Sequence, residues 1–291
     1  MVLPNVGSRA LRGSLLALGL LLLAAAPVFS EPSETLPERR LKDIVARQKS
    51  ILAQAAEEGD KADQEALRAQ LQQIAQEYDL LIQDSPDFAA AYVSFGYLLA
   101  KIDMRKEAMG MLLKANSLDP DIPLVKNQLG NLLAEAGQPL EAVNYFISAI
   151  KLAPEEPLYH YELGLLLYEA RDDFLKKGVY TRGQLDRAMA AAFKRAAELA
   201  PDRLEFTYRY AESFYDLEKP DWDGALKAWA ALEERAKTPF DRQVMRLHAA
   251  NIFIKQGRFD HARLLLGTVT EPALAIQRQK LVAQLPENAK K

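Results

Sequence analysis

The chain has 291 residues, 49% of them hydrophobic and 26% charged, with a formal net charge of -3. That nearly balanced, slightly acidic charge excludes nucleic acid as the main partner. The complete lack of cysteine excludes disulfides, thiolate metal sites, cysteine nucleophiles and a lipid-modified N-terminal cysteine. Leu and Ala dominate and β-branched runs are nearly absent, so the composition predicts helix.

Residues 1–30 read as a separate object. Arg9 and Arg12 precede the apolar run Ser14–Pro27, and Val28–Ser30 follows with a cleavage point after Ser30. This is the pattern of a secretory signal peptide. The run is shorter than the roughly 20 apolar residues of a stable span. The expected location is therefore periplasmic or secreted, with no stable membrane span once the signal is removed. The alternative is inner-membrane anchoring through residues 14–27. Export without any cysteine leans towards a bacterial periplasm.

Residues 31–86 predict a helical hairpin that caps the rest. Its first helix runs Leu36–Glu57, with Leu41, Ile44, Ile51 and Leu52 as the apolar stripe. Glu58–Lys61 breaks it. Its second helix, Asp63–Gln83, buries Leu67, Leu71, Ile74, Tyr78, Leu81 and Ile82. The same pair has a second reading as a short coiled coil used for dimerisation.

From residue 87 to residue 270 the sequence repeats with a period of 34. Gly96, Gly130 and Gly164 keep that spacing, as do Pro86, Pro120 and Pro154. Ala108 is answered by Ala142, Ala115 by Ala149, and Leu112 by Phe146. A repeat of this length is one supersecondary unit that needs its neighbours to bury its apolar face. In the second unit the helices are predicted at about Leu124–Ala136 and Leu140–Leu152, with Gly137–Pro139 as the turn. Gly130 and Ala142 are small because two helices cross closely there. Pro154 ends the unit, since proline does not continue a helix. The same columns hold Leu163, Gly164, Leu167, Phe193, Ala196 and Pro201 in the third unit. In the fourth they hold Tyr210, Ala211, Phe214, Ala225 and Trp229, and in the fifth Ala249, Ala250, Phe253, Ala262 and Leu266.

These units resemble tetratricopeptide repeats, and Gly257–Ala262 (GRFDHA) looks like that family's turn and second-helix start. The resemblance covers about Phe88 to Val269. It implies an all-α fold, a right-handed superhelical solenoid of antiparallel helix pairs. It also implies a non-enzymatic scaffold that binds a protein or peptide on a concave face. The alternative function is a structural or assembly component acting through the N-terminal hairpin or an insertion in the third repeat.

That insertion is visible in the spacing. Pro154 and Pro201 are 47 residues apart, thirteen more than the period, and the excess falls around residues 170–183. Either it extends both helices or it forms a short loop across one edge. Met189 stands where small residues are usual, and Glu218–Asp223 lengthens the fourth turn. Residues 271–291 are predicted as a capping helix, Ala273–Leu285 after Pro272, and a tail.

The first helix of each unit lines the concave face expected of such a stack. Residues flanking the crossing position on that face are Asn127 and Asn131 in the second unit, and Tyr161, Tyr168 and Glu169 in the third. The fourth contributes Tyr208, Glu212, Tyr215 and Asp216, and the fifth Asn251. Tyrosine supplies rigid contact area with a hydroxyl, the acidic neighbours favour a partner with basic residues, and Asn127 and Asn131 suit a peptide backbone. Tyr at helical spacing has a second reading as core between repeats. A variant of the resembled family grips a terminal carboxylate with paired Lys and Asn. Asn127 and Asn131 resemble the Asn part, but Val93 stands at the matching Lys place.

No catalytic residue, metal or cofactor is expected. His160, His248 and His261 have no metal-ligand spacing, and His-Glu-x-x-His, P-loop, Gly-x-Gly-x-x-Gly and Gly-x-Ser-x-Gly motifs are all missing. His160 and His248 read as structural and His261 as exposed. Asp172 and Asp173, beside Lys176 and Lys177, read as a solvated helix face. Oligomeric state is open.

Overall fold

Capping chemistry starts the helices where the periodicity expects them. The structure, a computed structural model, describes residues 34–59 and 62–286, and the expected signal peptide lies outside the described residues. Helix α1 (Leu36–Glu58) opens with a capping box. Glu38 N–H donates to the Thr35 hydroxyl, and the Glu38 carboxylate accepts from Thr35 N–H at 2.8 Å. Helix α2 (Gln64–Asp84) opens with the Asp63 carboxylate accepting from the N–H groups of Glu65 and Ala66. Then come α3 (Ala89–Lys101), α4 (Arg105–Leu118), α5 (Pro123–Glu135), α6 (Pro139–Leu152) and α7 (Pro157–Glu169). Proline at the first position of the last three costs no hydrogen bond, because that N–H has no helical acceptor.

The chain divides into two compact units, one ending at Ala136 and the other starting at Gly137. The first holds α1 to α5. Its core is Leu71, Leu81, Phe95, Leu98, Leu99 and Leu112, all fully buried. Tyr78 of α2 stacks on Phe95 of α3 with ring centroids 5.1 Å apart, and its hydroxyl donates to the buried Gln48 Oε1 at 2.7 Å. This ties the hairpin to the first repeat pair. On the outer side Arg40 pairs with Asp84 at 2.7 Å and Arg47 with Glu77. Asp103, in the turn between α3 and α4, has φ 63°, and Gly137, one period later, has φ 74°. The turn column requires a left-handed residue, which glycine adopts freely and Asp tolerates.

The second unit continues from α6 and α7 with α8 (Arg171–Lys176), α9 (Arg182–Leu199), α10 (Leu204–Ser213) and a 3-10 turn Phe214–Asp216. It goes on with α11 (Trp222–Arg235), α12 (Pro239–Lys255) and α13 (Phe259–Gly267), and ends on a 3-10 turn Pro272–Leu274 and α14 (Ala275–Val282). The described residues form fourteen α-helices and no strand. The all-α class of antiparallel helix pairs expected from the 34-residue period therefore holds. The final helix is shorter than expected. The chain turns through Pro272–Leu274 first, and Leu274 and Leu285 bury against Leu247, Leu266 and Val269. Buried Gln243 secures this end, since its Oε1 accepts from Thr270 N–H at 2.6 Å and Glu271 N–H at 2.8 Å.

The insertion in the third repeat is ordered. It neither extends both flanking helices nor remains a bare loop. It forms α8, with Phe174 fully buried and Tyr180 packed edge-on at 5.6 Å. A second capping box, Thr181 with Gln184, then restarts the chain as α9. Asp172, Asp173, Lys176 and Lys177 face solvent as expected.

The close crossing inferred at the repeat glycines is direct at Gly164. A Cβ there would lie 2.7 Å from the Phe193 ring, which is itself fully buried. Gly164→Ala is accordingly expected to destabilise the protein by about 1–3 kcal/mol, because the ring has no free space to move into. Urea unfolding of the two proteins checks this, and an unchanged midpoint would show that the crossing is looser than the geometry states.

Candidate partner-binding face

Two of the ten expected contact residues lie in the first unit, on α5. Asn127 is fully buried, and neither its Oδ1 nor its Nδ2 has a hydrogen-bond partner. A buried carboxamide left unpaired costs on the order of 1–3 kcal/mol, so hydrophobic burial does not account for an Asn here. Asn131, one turn further, is half-buried.

The other eight lie in the second unit, and their helices bring them into two groups. The first surrounds Tyr168 at the end of α7. Its ring is 39% exposed and carries two guanidinium groups, Arg209 at 4.4 Å from the centroid and Arg171 at 5.5 Å. Glu169 beside it is exposed. Beneath the ring is a polar cluster. Arg182 Nε donates to the buried Asp186 Oδ1 at 2.8 Å, while Asp186 Oδ2 accepts from Glu218 N–H at 2.8 Å. Arg182 Nη2 reaches the backbone carbonyl of Asp216 at 2.7 Å, and Arg209 Nη1 donates to the Asp216 carboxylate at 2.9 Å. Asp216 is thus already engaged by two arginines. Arg171 Nη2 stands 3.9 Å from Asp186.

The second group is an aromatic seam between α10, α11 and α12. The His248 imidazole lies flat on the fully buried Trp229, centroids 3.8 Å apart and planes 4° from parallel. Tyr208 meets both rings edge-on, and its hydroxyl is 3.0 Å from His248 Nε2. The Tyr215 hydroxyl donates to the His248 backbone carbonyl at 3.2 Å and is also hydrogen-bonded by the Asn251 side chain. Trp229 Nε1 is buried near that hydroxyl but outside normal hydrogen-bond geometry. Burial pushes Tyr215 up to about 12 and lowers His248 to about 4. It also raises Glu212, which the nearby Arg209 partly offsets and Asp216 reinforces. Tyr161 stands apart from both groups. It packs against Phe206 at 4.6 Å and Phe193 at 5.9 Å, and burial, with Glu205 near its hydroxyl, pushes it up to about 12.

The four tyrosines differ in how far packing claims them. Tyr161 is built mostly into the packing between helices, Tyr208 and Tyr215 are half-buried with held hydroxyls, and Tyr168 is open. Two residues outside the expected set, Arg209 and His248, join these groups. They follow Tyr208 and Leu247 by one residue in the same repeat column, and that offset was the only signal available. Among the described residues no group of three or more His, Asp or Glu could hold a metal ion. No helix among them is long and apolar enough to cross a membrane.

Residues 125–156 match the tetratricopeptide repeat family. Among solved structures, the chain is similar to YrrB, described as a TPR protein with an unusual peptide-binding site. The TM-score is 0.55 at 18% identity, covering 71% of this chain and 97% of that one. It is similar to PilF of Pseudomonas aeruginosa, with TM-score 0.54 at 15% identity over 85% of this chain and 99% of that one. A chain of the Naa15/Naa10 complex bound to HypK-THB gives TM-score 0.55 at 14% identity, with 86% of this chain matching 33% of that one. At these identities the likeness is one of fold. Among curated proteins none matches the chain in sequence.

Proposed function

We propose that the chain is a non-enzymatic scaffold that binds a protein or peptide through the first-helix face of its repeats. The observation that carries this reading is the state of the tyrosines in the second unit. Tyr208 and Tyr215 are held by His248 and Asn251 before any partner arrives, beside the open ring of Tyr168. Aromatic side chains already fixed in place lose little conformational entropy on binding, which is how rigid anchors gain affinity. The peptide-binding site described for YrrB is consistent with such a use of the fold. With Asp216 neutralised by Arg209, the acidic groups left for a basic residue of the partner are Glu169 and Glu212. Asn131, half-buried on α5, would serve a peptide backbone, whereas Asn127, expected on the same face, is fully buried and out of a partner's reach. The apolar run Ser14–Pro27 after Arg9 and Arg12 supports export, with the repeats in the periplasm or outside the cell.

Affinity capture from the envelope fraction of the native host tests the reading, with partners identified by mass spectrometry. The tagged full chain is compared with Tyr168→Ala and with the fourfold change of Tyr161, Tyr168, Tyr208 and Tyr215 to Phe. The first removes the part-exposed ring on which Arg171 and Arg209 lie, and the second removes hydroxyls while keeping the rings. A partner retained by the parent and reduced about tenfold, some 1.4 kcal/mol, by either variant is expected. Equal retention by all three proteins would rule out this face.

A second reading, assembly through the hairpin, is favoured by one feature of the first unit. A cleft of about 150 Å³ between α1 and α2 is lined by Arg40, Asp43, Ile44, Arg47, Glu77 and Leu80. Leu80 is 54% exposed at its rim. On that reading Leu80→Glu, and not the tyrosine changes, abolishes capture.

A further inference from the structure

The second unit holds one titratable group whose position links acidity to the face described above. We propose that His248 is an acid-sensitive pin: protonation of its imidazole unseats Tyr208 and Tyr215 and weakens the capture of a partner. The inference about capture rests on the proposed function; the pin itself rests on the contacts of His248 in the seam and on its burial.

His248 makes three kinds of contact at once. Its ring covers Trp229 at 3.8 Å, its Nε2 shares a hydrogen bond with the Tyr208 hydroxyl, and its backbone carbonyl accepts from the Tyr215 hydroxyl. Two of the four expected tyrosine anchors are therefore positioned by one residue. The neutral ring suits this place, because one ring nitrogen accepts while the other donates. A charged ring needs a counter-ion, and no carboxylate acts on this imidazole, whose only perturbation is burial. From α10 it is faced by Tyr208 and, one turn on, Glu212, whose neighbour is Arg209. From the 3-10 turn come Tyr215 and Asp216, the latter already paired with Arg209. From α11 comes Trp229, while Glu233 of that helix is taken up by Arg246 of α12 at 2.6 Å. On α12 itself are Asn251, bonded to Tyr215, and Lys255, placed over Trp222.

Burial, and no charged neighbour, lowers the imidazole to about 4 from an ordinary 6.5. The seated seam thus binds fewer protons than an opened one between those two values. The seated state is fully favoured above the ordinary value and loses ground as pH falls towards the lowered one. With these two values, the ratio of opened to seated seam rises about 30-fold at about pH 5 over its value near neutrality. Glu212 acts in the same sense on a basic partner, since its raised carboxyl loses its charge early on acidification.

The test uses the full chain and reads the seam directly. Emission of Trp222 and Trp229 is followed from about pH 7.5 to about pH 4.5, with far-UV circular dichroism alongside. The expected result is a reversible emission change centred between the two pKa values while helicity persists. It is absent in His248→Phe, which keeps a ring on Trp229, and in His248→Gln, which keeps a hydrogen-bonding group. A flat parent, or the same transition in both variants, would overturn the pin. The partner captured near pH 7.5 is then challenged at about pH 5, where the parent is expected to release at least tenfold more than His248→Phe. Equal release by both would overturn the link to capture. If capture never depends on the tyrosines but the emission transition follows His248, the proposed function fails and the pin stands.

Discussion

Trp229→Ala is expected to lower the stability of the second unit by ~3–5 kcal/mol. The indole is fully buried among Ala211, Phe214, Ala225, Leu232, Met245 and Ile252, so its removal leaves a cavity that helices from three successive pairings must span. It also removes the surface on which His248 lies and against which Tyr208 packs. The loss should therefore appear twice, in the urea midpoint and in faster hydrogen exchange of α10 and α12. Trp229→Phe keeps a stacking ring and should lose appreciably less. A loss under about 1 kcal/mol for the alanine variant would mean that α10 and α12 collapse into the space, and that the seam is not fixed by packing.

Asp186→Ala is expected to cost ~1–3 kcal/mol, for an electrostatic reason. The carboxylate is buried, pairs with Arg182, lies within reach of Arg171 and accepts the Glu218 N–H. Removing it leaves the partly exposed Arg171 and Arg182 without their anion and the Glu218 N–H without its acceptor, and breaking one side of such a pair costs more than the pair contributes net. The consequence should concentrate where the cluster joins chain segments, at α8 and the turn after α10. Limited proteolysis near Lys176–Arg182 reads this directly. Asp186→Asn, which keeps an acceptor for Glu218, should protect part of the structure. If the alanine variant resists the protease as well as the parent, the insertion is held by Phe174 alone and the polar cluster is incidental.

These two positions differ in how far the sequence revealed them. Trp229 was legible, because it falls in the same column as Phe146, Phe193 and Leu266, where a period of 34 demands a large apolar side chain. Asp186 was not, because beyond Arg182 one turn before it on α9, its partners Arg171 and Glu218 come from α8 and from the turn after α10. Nothing in the Arg182–Ala188 string distinguishes a solvated face from a buried charge cluster. The face residues divide in the same way. Their positions on first helices follow from helical periodicity. Whether each is open, half-held or buried depends on the rotation and spacing of neighbouring helices.

By itself the sequence determined the repeat, the helix pairing, the turns and the close crossings. Each depends on local rules that glycine, alanine and proline at fixed spacing express directly, such as the fully buried Phe193 against Gly164. Tertiary structure alone decided that residues 170–183 fold into α8, that Asp216 is committed to Arg209, and that Asn127 is sealed without a partner. It also decided that His248, 40 residues from Tyr208, sits between that tyrosine and Trp229. Such contacts arise from the approach of distant segments, and a period in the sequence encodes which helices pack but not which side chains share a proton.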